Sequence, residues 1–126
     1  MDASGNAVAG WSRSDAIEAS RYDVATDSWS PHTVLAAAGA HSGPSIAVNA
    51  QGKAAAVWGE SQVIRGATSD APTGTWTTPA TLSGATTFPS LHDVAVDETG
   101  NSVAVWLAGD GVTLVGFAGP DVAWVR

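Results

Sequence analysis

An all-β fold of about three four-stranded units is predicted by three features of this 126-residue chain. Tryptophans recur in step: Trp11, Trp58 and Trp106 each stand six residues after Gly5, Gly52 and Gly100, and each is followed eighteen residues later by Trp29, Trp76 and Trp124. Each glycine closes the same short motif: Asp2-Ala-Ser-Gly5-Asn6, Asn49-Ala-Gln-Gly52-Lys53 and Asp97-Glu-Thr-Gly100-Asn101. Only 13% of residues are charged, and Ala, Val, Gly, Thr and Ser dominate, which favours strands and tight turns over surface helices. The resulting period of 47 then 48 residues lies in the range of four-stranded blades stacked around an axis, so an incomplete β-propeller is the predicted architecture. A β-sandwich of about eleven short strands is the alternative, but a sandwich has no need for equivalent strands to carry equivalent side chains. Residues 1–126 read as a single repeat region, with copies at 2–48, 49–96 and 97–126.

Each element follows from local chemistry. In the turn motif, Asp or Asn at the first position bonds backbone two residues on, and Gly at the fourth accepts positive φ. A strand should end just before the turn, as Ser45–Val48 and Asp93–Val96 do, with Pro44 and Pro89 marking where their segments begin. The first copy lacks this strand, since Met1 aligns with Val48 and Val96. After the turn, Ala7–Trp11, Ala54–Trp58 and Ser102–Trp106 are apolar on both faces, which fits a strand in a sheet sandwiched between neighbouring sheets. Their alanines let sheets approach, and the tryptophan fills the wider gap. Third strands follow at Ile17–Tyr22, Val63–Thr68 and Val112–Phe117. The second tryptophan then opens an outer strand, Trp29–Leu35 and Trp76–Leu82, whose prolines an edge position tolerates.

Charge and composition exclude several classes. Twelve acidic residues against five basic ones give a net charge of −7, and Arg13, Arg21, Lys53, Arg65 and Arg126 form no cluster, which argues against phosphate-backbone binding and so against nucleic acid. No apolar run approaches the roughly 20 residues of a membrane helix, so no membrane span is expected. With no cysteine there are neither disulfides nor thiolate metal sites.

The runs Gly-Asn-x-Val-Ala-x-Trp, Ala-Ser or Ala-Thr in the third strand, and Ser/Thr-Trp opening the fourth resemble β-propeller repeats of bacterial secreted proteins, in the style of sialidase-type repeats. Ser69-Asp-Ala-Pro-Thr-Gly-Thr-Trp76 is similar to a loosened Asp-box turn, with Asp70 four residues before Gly74 instead of two. The resemblance spans the whole chain. It implies an extracellular or cell-surface protein and a lectin-like, carbohydrate-binding role, and its motifs encode turns and packing more than activity.

No catalytic set is expected. A sialidase-like site would need to gather Arg13, Arg21 and Arg65 with Tyr22 and Glu18 or Glu60, drawing on loops of most blades, and the acids Asp2, Asp97, Asp110 and Asp121 read as turn formers. His32, His41 and His92 hold non-equivalent repeat positions and read as solvated loop residues, with no metal site and no cofactor expected. A glycan is the leading ligand class: aromatic faces suit the C–H faces of sugars, and repeated sites multiply weak affinities. The candidate ligand-binding residues are Trp11, Trp58, Arg13, Glu60 and Arg65. Arg13 and Glu60 stand two residues after their tryptophans, and Glu18 and Arg65 seven after, a charge reversal that predicts a salt bridge across neighbouring sheets. Tryptophans that recur at one position of the repeat are expected first as core or packing between sheets.

About two and two-thirds blades fall short of the roughly four a closed propeller needs, so edges and faces left raw must be covered. The expected partner is a second copy, giving about six blades as in small propeller lectins, or the remaining blades of a parent protein. The reading is a non-catalytic module for binding or scaffolding, with two alternatives: a purely structural or engineered propeller fragment whose activity is oligomerisation, and a degenerate sialidase-like glycosidase domain.

Overall fold

The computed structural model describes residues 1–37, 39, 42–71, 73–84, 90–108 and 111–118. The described chain is all-β, without a helix, and its strands form three antiparallel sheets, none closed into a barrel. The first sheet contains β1 (Ala7–Arg13), β2 (Ala16–Asp23), β3 (Ser28–Trp29) and β4 (Thr33–Ala36). The second runs β5 (Ser45–Val48), β6 (Ala54–Glu60), β7 (Val63–Ser69) and β8 (Ala80–Thr81), and the third β9 (Ser90–Val96), β10 (Asn101–Ala108) and β11 (Gly111–Ala118).

The sequence period is also a period of hydrogen-bond register. Ala7 pairs with Tyr22, Ala54 with Ser69 and Ser102 with Phe117, one repeat apart each time. Likewise Glu18 pairs with Val34 as Arg65 does with Thr81, and Ser45 with Val57 as Asp93 does with Val105. The turns repeat as closely: Asp2, Asn49 and Asp97 each accept, on one side-chain oxygen, the backbone N–H groups two and four residues on. Gly5, Gly52 and Gly100 follow at φ of 94°, 82° and 97°, a region that suits glycine.

Two elements differ from the sequence reading. The outer strand is broken at its prolines: β3 and β4 pair β2 separately on either side of Pro31, and in the second sheet a lone Ser69–Trp76 bridge precedes β8. Proline has no N–H for the ladder, so pairing lapses there and resumes beyond. The strand Ser45–Val48 has the expected bounds, and the remaining strands run one to three residues beyond the expected ones at one or both ends. Pro89 and Trp124 lie outside the described residues.

Alternation gives every sheet a tryptophan face and an aliphatic face. Ile17, Ala19 and Leu35 of the first sheet pack on Ala56, Trp58 and Ala67 of the second. Ala55, Val57, Ile64 and Leu82 of the second pack on Val94, Ala104 and Trp106 of the third. The same pair of faces therefore meets twice, and three sheets stack in sequence order instead of the two layers of a sandwich. Close approach is enforced at Gly10, where a Cβ would lie 2.2 Å from Ile46 Cδ1 across the first interface. Polar contacts fasten the turn end: Arg21 Nη1 donates to the Gly52 carbonyl at 2.8 Å and Asn49 Nδ2 to that of Asp97 at 2.7 Å.

Candidate functional site

The repeat sets three tryptophans in one register position, and their surroundings separate them. Trp58 and Trp106 are 0% and 1% exposed, covered by the aliphatic face of the sheet before. Trp11, at the same position in the first sheet, is only half-buried because no described residues cover its face. That face is where polar chemistry collects. Trp11 lies opposite Glu18 in the β1–β2 ladder and donates Nε1–H to Glu18 Oε2 at 2.8 Å. Arg13, two residues along the same face, donates Nη2–H to Oε1 at 2.8 Å. His32, in the break between β3 and β4, brings Nε2 to 3.7 Å of the same oxygen.

Glu18 is 3% exposed while the Arg13 side chain is 64% exposed. The hydrogen bond from Arg13 holds the Glu18 carboxyl below its ordinary range, with burial opposing and the Trp11 bond assisting. A concavity of about 430 Å³ opens beside this cluster, lined by Trp11, Trp29, Pro31, His32, Ala9 and Ser20. Trp29 is exposed and leans on Tyr22, ring centroids 5.4 Å apart.

In the second sheet the charges are exchanged. Arg65 stands opposite Trp58, two donors facing each other, and neither Trp58 Nε1 nor Arg65 Nε has a hydrogen-bond partner among the described residues. Arg65 Nε lies 4.0 Å from Glu60 Oε2, and its other nitrogens reach Thr81 Oγ1 and the Pro79 carbonyl. The expected bridge between neighbouring sheets does not form: Arg13 pairs with Glu18 inside the first sheet, and Glu60 approaches Arg65 inside the second. Residues two and seven after the tryptophan are near neighbours on one face of one hairpin, which puts them within reach of each other first.

Of the five candidate binding residues, Trp11 and Arg13 are thus brought together on an open face, Trp58 has no exposed surface, and Glu60 with Arg65 forms a second, half-buried pair. Glu18 is the residue whose importance spacing alone understated. The arginines are not gathered for a substrate carboxylate. Arg21 points to the second sheet, where Nη2 also lies 3.4 Å from Ser69 Oγ, and burial lowers its pKa. Tyr22, on the opposite face, donates its hydroxyl to Asp27 at 2.6 Å, which raises its pKa.

No family model and no curated protein matches the chain. Among the described residues no group of three or more His, Cys, Asp or Glu is placed to hold a metal, and no helix is long and apolar enough to cross a membrane. His92 lies in β9, half-buried, with Nε2 at 2.8 Å from the Gly43 carbonyl, instead of in a solvated loop. His41, Asp110 and Asp121 fall outside the described residues. The Asp-box-like segment is a turn in which Gly74 N–H donates to the Asp70 carbonyl at 3.0 Å, with Gly74 at φ 66°.

A second concavity, of about 380 Å³, lies between the outer edge of the first sheet and the β7–β8 connection, lined by Arg21, Asp23, Thr26, Ser28, Thr73 and Trp76 among others. It combines one indole with a carboxylate and several hydroxyls.

Proposed function

We propose that the chain is a non-catalytic run of propeller-type blades that serves as a binding or scaffolding module by stacking on further blades of the same kind. One observation carries this reading: the tryptophan and aliphatic faces pack against each other twice within the chain, while Trp11 stays half-buried on a face of the same design. An apolar sheet face of this kind is stable when another sheet covers it. Light scattering after size exclusion, at several concentrations, tests the reading. A discrete and concentration-stable oligomer is expected, with Trp11 shielded from a soluble quencher. A monomer at every concentration, with Trp11 quenched as freely as Trp29, overturns it.

A glycan is the second reading, and the cleft at Arg21, Asp23 and Trp76 favours it because its lining combines an indole, a carboxylate and hydroxyls. An indole face flanked by hydroxyls and a carboxylate suits a neutral sugar ring. A panel of mono- and disaccharides titrated against tryptophan fluorescence and the unfolding midpoint tests it. Binding lost in Asp23→Ala is expected, and a panel without response removes the lectin role.

A further inference from the structure

We infer that a second copy of this chain docks head to tail, its third-sheet aliphatic face seated on the Trp11 face of the first copy. This rests on the stacked-blade reading and adds the partner, the polarity and the residues of the joint.

The template for the joint is inside the molecule. At the first internal interface the aliphatic face of one sheet meets the alanine and tryptophan of the next, and at the second it does so again one repeat later. Two faces of the same design are left uncovered among the described residues. On the tryptophan face of the first sheet, Ala9 and Trp11 hold the register positions of Ala56 and Trp58, and of Ala104 and Trp106. Those four are buried, whereas Ala9 and Trp11 are only half-buried. On the third sheet, Val103 holds the position of Ala55 but is 46% exposed where Ala55 is 0%. Val112 takes the register position of Ile64, and Ile64 is fully covered by the next sheet.

One chain therefore offers one socket and one plug of the same joint. They lie on different sheets, so the contact is heterologous, and such contacts either close into a ring or extend as a filament. Two copies supply six sheets, within the range of about four to eight found in closed propellers, so closure at two copies uses both faces of both chains. The face chemistry agrees with a sheet as occupant: Ala9 is small enough to admit a side chain of the facing sheet, as Gly10 admits that of Ile46 at the first internal interface.

Complementation between two face variants tests this. Ala9→Arg blocks the first-sheet face and Val103→Arg the third-sheet face, and neither side chain is fully buried in the single chain. An unpaired charge inside the joint should weaken self-association at least about a hundredfold. Wild type is expected as a dimer, each variant alone as a monomer, and an equimolar mixture as a 1:1 heterodimer, since each variant keeps the face the other lacks. That heterodimer has a single joint and should dissociate more readily than wild type. If Ala9→Arg is monomeric while Val103→Arg still dimerises alone, the Trp11 face pairs with itself and the head-to-tail proposal falls, with stacking of blades intact. Dimers of both variants also overturn it, because the joint then lies elsewhere. A monomeric wild type overturns both this proposal and the reading beneath it. Far-UV spectra and unfolding midpoints confirm that the variants fold, and the pair Ala9→Glu and Val103→Glu repeats the test where an arginine variant does not.

Discussion

Stacking of the first sheet on the second can be tested with one methyl group. In Gly10→Ala the new Cβ would stand 2.2 Å from Ile46 Cδ1, 3.1 Å from Ile46 Cγ1 and 3.4 Å from Pro44 Cγ. Gly10 is not at positive φ, so alanine suits the backbone and on its own would gain about 0.5–1 kcal/mol from lower unfolded-state entropy. Against this, forcing a methyl into a filled gap costs about 1–3 kcal/mol. Ile46 packs against the cluster that holds Trp58, which limits its freedom to swing aside, so a net loss of about 1–2 kcal/mol is expected. Ile46→Val removes the clashing Cδ1 and should itself cost about 0.5–1.5 kcal/mol. The informative quantity is the double mutant, which should be no less stable than Ile46→Val alone and so give a coupling of about 1–2 kcal/mol. Urea unfolding followed by tryptophan fluorescence supplies all four values, with ΔΔG read from the midpoints at constant m. Gly10→Ala within about 0.5 kcal/mol of wild type, together with additive effects, would refute the claim that Gly10 and Ile46 meet across a packed interface.

Other expectations follow from the repeat. Trp106→Ala should destabilise by about 3–5 kcal/mol as a fully buried indole is lost, and Trp11→Ala by clearly less in dilute, monomeric protein; equal losses in urea titrations would contradict the difference in cover. Thr99 and Asn101 hold the Asp97 carboxyl at a pKa of about 2 instead of 3.8. Because the folded value is depressed, its stabilisation is complete above pH 3.8 and is lost as pH falls toward 2. Asp97→Asn, which copies Asn49, should keep the two backbone bonds and flatten the fall of the melting midpoint over that window. Exchanging Glu60 and Arg65 as Glu60→Arg with Arg65→Glu places an acceptor opposite the orphan Trp58 Nε1, as Glu18 stands opposite Trp11. A gain of about 1 kcal/mol is expected from satisfying that buried donor, and a loss in calorimetry would count against the equivalence of the two positions.

What could be read from the sequence was what depends on neighbours along the chain. Asp-x-x-Gly turns, strand cores and the tryptophan period all follow from short-range rules, and they reappear as bonds from Asp2, Asn49 and Asp97 and as a common register. Which face of which sheet is covered depends on contacts far apart along the chain, such as Gly10 with Ile46 and Trp58 with Ile17, and only the packed chain supplies them. The partner of Arg13 was missed for a related reason. Charge reversal between copies suggested attraction between sheets, yet Arg13 and Glu18 flank a two-residue turn at Ser14 and Asp15, both at positive φ, so the hairpin closes the pair before any neighbouring sheet competes.

Covering the Trp11 face has an electrostatic cost that the internal interfaces show how to limit. Glu18 is already withdrawn from water in the single chain and satisfied by Trp11 and Arg13, so a docking sheet adds little further desolvation at the carboxylate. Arg13 is the group that would lose water, and burial of an imperfectly paired ion commonly offsets its attraction. Arg65 occupies the corresponding region beneath the first sheet and keeps partial exposure, with Nη1 and Nη2 turned toward Thr81 and Pro79. Arg13, at the end of β1, has the same escape through its long aliphatic stem. The joint should therefore be held by the aliphatic contact with Ala9 and Trp11 and be only weakly dependent on salt. Truncating Arg13 to Ala should leave the dimer dissociation constant within about tenfold of wild type, whereas a much larger loss would mean that the ion pair itself, and not the apolar face, holds the copies together.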